Sequence, residues 1–490
     1  MIKRKSKYKQ YERWLRVHAE HIFRRKHRKN HRKTKPSFDM TYGCPRKFRR
    51  HTYFAGIELK QKYREKQNRR TRLLKRLLPS SLHYLVFTKQ SPFYINELRA
   101  NAYKSHGRVH IPESFSMIHN EHATIDAFKQ ILSGLLLEDE LELILDYQNC
   151  SEVDLSVQML LDVILLDYMQ FRRKSGSQCK KEGFTLPILS GQNIEDTSIQ
   201  KMLFSVGSPR NLGIKQLSFP DVIPFSLKVH NKKGSITDVM RIGDKEFTTT
   251  DMVDYINECL ARVNKRLMPD RIDDLCTVIG EILINAEEHS TTNFWFAMGY
   301  FQEHVEGNLH NGVFRLVIMN FGHTIYEKFK DPECPNKEYV EKMQGLSYSY
   351  TKRKWFSPGK FEEESLWTLY ALQEGITTVP VERSRKRGNG SIRFIESFFK
   401  IKGSEQPDKL SEMVLCSGNA RILFDGTYSI QTKINKENER FKVMTFNESG
   451  DIAEKPDNKY VKNAGFYFPG TFISAKILLS DDDIEQINNY

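Results

Sequence analysis

The 490-residue chain has no apolar run of about 18 residues, the length a membrane-spanning helix needs. Its opening, MIKRKSKYKQYER, has no hydrophobic core of the signal-peptide kind. The expectation is a cytoplasmic protein that does not enter a membrane. Cysteine is sparse: Cys44, Cys150, Cys179, Cys259, Cys276, Cys334 and Cys416 include no CxxC pair. That spacing argues against a structural zinc site or a disulfide framework and leaves ordinary reduced thiols. No internal repeat is visible, nothing matches a zinc finger, and no helix-turn-helix stands out.

What is present is an uneven charge. Residues 1–80 hold 28 Lys and Arg against 5 Asp and Glu, whereas the remainder holds 48 against 56. The net charge of +15 therefore belongs to a basic N-terminal arm on a mildly acidic body. Tyr11, Trp14, Leu15, Ile22 and Phe23 fit one side of a helix, and Tyr53, Phe54, Leu59, Leu73, Leu74 and Leu77 supply further apolar positions. Basic residues interleaved with aromatics suit phosphate contact and base stacking, so nucleic acid is one expected partner of residues 1–80. A solubilising extension, or helices that dock on the body, remain the alternatives.

Two folded regions follow. Residues 83–230 read as a small α/β domain: a strand at 82–88 (LHYLVFT), a helix at 123–140, a strand at 141–147 (LELILDY), a long helix at 155–173, a polar loop at 174–183 (KSGSQCKKEG) and a strand at 184–191. Alternation of this kind favours a sheet covered by helices. Residues 245–480 form the second domain. It has a helix at 248–266 and a second helix carrying Glu281, Asn285 and His289. The runs NFWFAMGYF and VFRLVIMN follow, joined by a Gly/Asn-rich hairpin. Then come an irregular stretch over 321–363, a helix at 364–375, a glycine-led helix near 387–399, and strands at MVLCSG, RILFDG and 470–479. The polar insertion 429–465 has no evident place. The overall class is α/β, in the form of α+β sandwiches.

Chemistry concentrates in the second domain. Glu281, Asn285 and His289 recur at i, i+4 and i+8 beside an apolar stripe, which makes a polar ridge on one helix. Asn320-Phe-Gly322-His-Thr324 closes a strand, where a glycine permits a sharp turn. Arg387-Gly388-Asn389-Gly390 opens a helix, and the free N–H groups and dipole of such an end suit phosphate. Taken in order, these segments resemble the Bergerat ATP-binding fold of the GHKL superfamily, which includes gyrase B, histidine kinases and MutL. The resemblance covers roughly half the chain. It implies ATP and Mg2+ as cofactors. Asn285 would hold the magnesium, and Glu281 would orient or deprotonate the attacking water. Asn320, Gly322 and Thr324 would stand in the adenine motif, with Asn320 where the family has Asp and Thr324 where it has Gly. Arg387, Gly388, Asn389 and Gly390 would cradle phosphates at the end of a lid spanning 345–390. Thr471, in Gly470-Thr471-Phe472, would assist at the adenine.

Residues 141–166 resemble the central strand–loop–helix of STAS domains, whose family motif is Asp-Ser-Ser with the first Ser phosphorylated by a partner GHKL kinase. The stretch here is Asp154-Leu155-Ser156, with leucine at the acceptor position. Asp154 and Ser156 also read as helix-capping residues. The resulting expectation is a regulatory protein of bacterial type. A slow ATPase would couple nucleotide state to a STAS-like module that contacts a regulatory protein, with an ATP-dependent homodimer as a further expectation. The alternatives are a serine protein kinase of the anti-sigma type, and a non-enzymatic scaffold for nucleic acid or protein that retains a degenerate ATPase fold.

Overall fold

The computed structural model describes residues 49–215, 217–231, 245–267, 269–306, 309–351, 361–376, 390–402, 410–434, 438 and 440–480. In chain order the first region contains α1 (Arg49–Leu77), α2 (Ser80–Phe87), β1 (Arg108–His110), β2 (Ser114–Phe115), α3 (Glu121–Leu136), β3 (Glu142–Asp146), β4 (Glu152–Val153), α4 (Leu155–Lys181), β5 (Ile188–Gln192), α5 (Thr197–Ser205) and α6 (Ser208–Asn211). The second contains β6 (Val222–Asn231), α7 (Lys245–Arg262), α8 (Pro269–His289), β7 (Ser290–Glu306), β8 (Leu309–Gly322), α9 (Ile325–Lys330), α10 (Lys337–Thr351), α11 (Glu363–Ala371), α12 (Gly390–Lys402), β9 (Glu412–Phe424), β10 (Gln431–Ile434), β11 (Arg440–Val443) and β12 (Val461–Ser480). The class is mixed α/β. No helix among the described residues is long and apolar enough to cross a membrane.

The first region is built on a parallel sheet, β1-β3-β5. Residues 82–87 form the body of helix α2 rather than the expected strand at 82–88. Leu82, Leu85 and Val86 are buried at i, i+3 and i+4, and a seven-residue apolar run cannot distinguish the two periods. Residues 174–181 continue helix α4 instead of forming a loop. The buried stripe of Tyr168 and Phe171 runs on through Ser175 and Cys179, small residues that fill core positions without looking apolar. Asp154 caps this helix by accepting from the Ser156 backbone N–H at 2.9 Å. Ser156 itself is fully buried.

The end of the basic arm is part of this core. Leu73, Leu74 and Leu78 are buried in it. Arg70, 2% exposed, donates to the Leu137 carbonyl at 2.6 Å, the Glu138 carbonyl at 3.1 Å and the Asp139 carboxylate at 2.9 Å. A buried guanidinium is tolerated only with such a full set of acceptors. The opposite surface of α1 carries exposed Arg64, Arg69, Arg72, Lys75 and Arg76.

The second region is a five-stranded sheet in the order β6-β7-β8-β12-β9, antiparallel throughout. Strand β6 precedes the expected domain start but hydrogen-bonds to β7 and belongs to this sheet. The two short runs expected at MVLCSG and RILFDG are one continuous strand, β9. The stretch 321–363 contains α9 and α10, and the polar insertion contains the β10–β11 hairpin.

Strand periodicity assigns each residue of this sheet to one of two faces, and both are buried. Ala297, Phe314, Leu316, Ile318, Leu415 and Ile477 share a core with α7, α8, α11 and α12. Phe296, Met298, Val317, Met319, Phe321 and Phe472 share the other core with the first region. Helices α2 and α4 lie across β7 and β8, and α3 packs on β12. The result is a single sheet between two helical layers. Each fully buried large apolar side chain contributes about 1.5–3 kcal/mol, so this shared face is a main source of cohesion between the regions.

Polar groups pin the same junction. His119 Nε2 lies 3.0 Å from Glu412 Oε1, and Arg421 donates to the Ile118 carbonyl at 2.8 Å. The bond to Glu412, outweighing partial burial, raises the His119 pKa above its ordinary 6.5. Burial opposes ionisation of Glu412, but the bond and charge of His119 outweigh it and hold the carboxyl below 4.5. The His119 contribution is thus complete below pH 6.5 and lost as pH rises through its raised value. The Glu412 contribution is present above pH 4.5 and lost as pH falls through its lowered value. The thermal midpoint of the protein is expected to fall as pH rises from the window between those limits into the alkaline range. His119→Gln should flatten that slope, and equal slopes in melts of both proteins would remove the ion pair from the account.

Candidate functional site

The site-bearing helix α8 buries Leu275, Ile279, Ile282, Leu283 and Ala286 against the sheet. Their i, i+3, i+4 spacing holds it rigidly. Asn285 is partly buried beside this stripe. The side chains of Glu281 and His289 lie outside the described residues, as do Arg387, Gly388 and Asn389. Gly390 opens α12, whose Ile392, Ile395, Phe398 and Phe399 are buried. Helices α8 and α12 pack side by side on one face of the five-stranded sheet.

At the end of the apolar core on this same face, the strand register creates a polar rung. Trp295 stands opposite Asn320, Asn320 opposite Thr471, and Thr471 opposite Ser417, on β7, β8, β12 and β9. His230 on β6 extends the row, opposite Trp295, with the two rings stacked at 4.9 Å between centroids. The next rung inward is apolar: Ala297, Ile318, Ile473 and Leu415. Residues of one rung project to the same face, so all five side chains stand on the side of α8 and α12.

Two donors in this rung have no partner among the described residues. Trp295 is fully buried and Asn320 is 3% exposed, and neither Trp295 Nε1 nor Asn320 Nδ2 makes a hydrogen bond to a described residue. A buried donor left unsatisfied costs about 1–3 kcal/mol, and such groups commonly mark ligand or water positions. Thr471 and Ser417 hold their hydroxyls 2.8 Å apart. Ser417 also accepts from the Ile325 backbone N–H at 2.9 Å. The first turn of α9 is thereby tied to the rung.

Gly470 fixes the backbone next to Asn320. It adopts φ +148°, and a Cβ there would overlap the Asn320 carbonyl oxygen. Gly322 adopts φ +157° where β8 ends. Thr324 lies just beyond and is fully buried. Its hydroxyl accepts from the Glu327 N–H at 3.1 Å, and the Glu327 carboxylate accepts from the Thr324 N–H at 2.9 Å. This capping box commits the Thr324 side chain to starting α9. Tyr467 donates to the other Glu327 oxygen at 2.9 Å, which secures the cap from β12.

Glu364, at the start of α11, accepts from the Asn419 backbone N–H and from Asn419 Nδ2, both at 2.9 Å. Burial raises its pKa despite these bonds. It thereby holds the bend at Gly418, φ +58°, immediately after Ser417. Of the residues singled out in the sequence, the register brings Asn320 and Thr471 side by side. Trp295, His230 and Ser417 were not singled out, and they join the row only through strand register. The one sequence signal for Ser417 is the Ser-Gly interruption of an apolar run at 413–418.

No family model, no curated protein and no solved structure matches this chain.

Proposed function

We propose that the chain is a magnesium–ATP-binding regulatory protein with a GHKL-type nucleotide site, coupled through its sheet to a STAS-like module. The observation that carries this reading is the polar rung, under the layer formed by α8 and α12, with an Asn320 Nδ2 that has no partner among the described residues. The residues present fit an adenine. A carboxamide offers a donor and an acceptor to the amino and ring-nitrogen edge of that base, and Asn320 Nδ2 is buried without a partner among the described residues. Thr471 stands beside it. Asn285 would hold the magnesium through its amide oxygen, an oxygen donor of the kind this ion prefers. The glycine-led start of α12 would receive phosphate at its N-terminal dipole. The ion, when bound, neutralises and orients the phosphate oxygens. Glu281 would orient or deprotonate water.

Glu281→Ala should lower the rate of phosphate release from ATP by about 100-fold or more, the usual contribution of a general base, with Kd changed little. Release assays paired with calorimetric titration measure both. A variant that hydrolyses ATP as the parent does would remove Glu281 from the reaction. Labelled ATP distinguishes the kinase alternative, because label retained on protein would mark group transfer. Ser156 does not support that alternative, being fully buried.

A second activity is supported by α1. Its exposed arginines and lysines stand on a helix locked to the body through Arg70, a fixed basic face suited to phosphate backbones. Binding of single-stranded RNA or DNA should weaken steeply with salt. Charge reversal at Arg69 and Arg72 should weaken it and lower the salt slope by about one per lost contact. A salt slope unchanged in that variant would assign any nucleic-acid binding elsewhere.

A further inference from the structure

A cavity of about 990 Å³ opens on the opposite side of the sheet from the polar rung, where α4 meets the β6–β7 edge. Its size is at the upper end of small-molecule sites. The floor is apolar: Val163, Leu166, Leu186, Leu212, Phe294 and Phe296 line it. Leu186, Leu212 and Phe294 are only partly buried against the core beneath, so they present apolar surface to the cavity. The rim is cationic, with Arg172, Arg173 and Lys180 contributed by a single helix, α4. None of these three makes an ion pair among the described residues. Asp167 is the acidic residue in the lining, and its carboxylate is engaged by the Leu82 backbone N–H at 2.8 Å. Burial moves the Asp167 pKa up to about 7, which lessens its opposition to a negative ligand.

We propose that this cavity is a binding site for a small anionic amphiphile, an unbranched acyl chain bearing one carboxylate. The chain lies on the Leu166–Leu212–Phe294 floor, and the carboxylate meets Arg172 and Arg173. An apolar body with one anionic end is the chemistry that this floor and rim complement together. A nucleotide would place polar base and sugar edges against leucine and phenylalanine, at a desolvation cost. The site is separate from the one proposed for ATP, and its test requires no nucleotide.

Gly176 supplies a clean variant. It lines the cavity on α4, and a Cβ there meets nothing within 4 Å. A side chain can therefore start at this wall of the cavity without a clash at its Cβ, and leaving glycine favours the helix. The full chain would be titrated calorimetrically with octanoate, decanoate and dodecanoate, each below its micelle concentration, and with decanol. Binding of one carboxylate per chain is expected, with Kd tightening roughly tenfold for every two methylenes added. Decanol should bind at least about tenfold more weakly than decanoate. Gly176→Trp should abolish binding, and Arg172→Glu with Arg173→Glu should weaken it at least about tenfold. Thermal melts matching the parent would establish that both variants are folded. Absence of binding to the parent by dodecanoate at about 1 mM would overturn the proposal. So would binding that is unchanged in either folded variant, or binding of decanol as tight as that of decanoate.

Discussion

Asn285→Ala is expected to weaken magnesium–ATP binding by about 100-fold, a loss of roughly 3 kcal/mol, while leaving the protein folded. Asn285 is partly buried, and the residues that anchor α8 are its neighbours Ile282, Leu283 and Ala286. Alanine is also the better helix former at such a position. The change therefore removes one oxygen donor and little else. Magnesium holds most of its shell as water and phosphate and takes few protein ligands, so a lost protein oxygen should fall mainly on nucleotide affinity. Calorimetric titration with ATP in excess magnesium, repeated in chelator, reads the effect. Equal affinity in parent and variant would separate Asn285 from the metal. ATP affinity indifferent to chelator would remove the metal itself.

Gly470→Ala should have the largest effect on stability, about 3–5 kcal/mol when backbone strain and overpacking combine. At φ +148° the backbone conformation disfavours a side chain, and the added methyl would overlap the Asn320 carbonyl oxygen. Neither atom can swing away, since both belong to paired strands β8 and β12. Gly183→Ala is the control. It shares a positive φ of +76° but has open space around its Cβ position, so it should cost about 1 kcal/mol from conformation alone. Urea unfolding of the three proteins separates collision from strain. Equal midpoints for the two variants would show that the close approach at Asn320 is relieved without cost. Where Gly470→Ala still folds, the displaced Asn320 should also weaken nucleotide binding, whereas Gly183→Ala should not.

Much of the second region was legible because its strands are buried on both faces. NFWFAMGYF and VFRLVIMN read as continuous apolar runs, and no alternation was needed to find them. Helix α8 was equally plain from the spacing of Leu275, Ile279, Ile282 and Leu283. Asn320 and Thr471 could be singled out separately, but that they stand side by side depends on the β8–β12 register, which a linear reading does not contain. The same holds for Trp295 and His230, which look like ordinary strand residues until five strands are aligned. Helix α2 and the last turns of α4 were obscured for opposite reasons. The first is too short to display a period. The second carries its buried stripe on Ser175 and Cys179, whose polarity conceals their position. Strand β6 was not singled out, because its pairing with β7 joins an earlier segment to a sheet whose other strands follow it, and sequence proximity is a poor guide to such pairing.

The double-sided burial of the five-stranded sheet also decides how this protein can be divided. A fragment beginning at residue 245 would lose edge strand β6 and everything that covers Phe296, Met298, Tyr300, Val317, Met319 and Phe321. Those six side chains would become a contiguous greasy wall facing water, bordered by an unpaired strand, the combination that drives chains to stick to one another. The C-terminal half is therefore no detachable cartridge. Its apolar face is covered by the region beside it, and a ligand or partner that loosened that region would act on the C-terminal half without ever touching it.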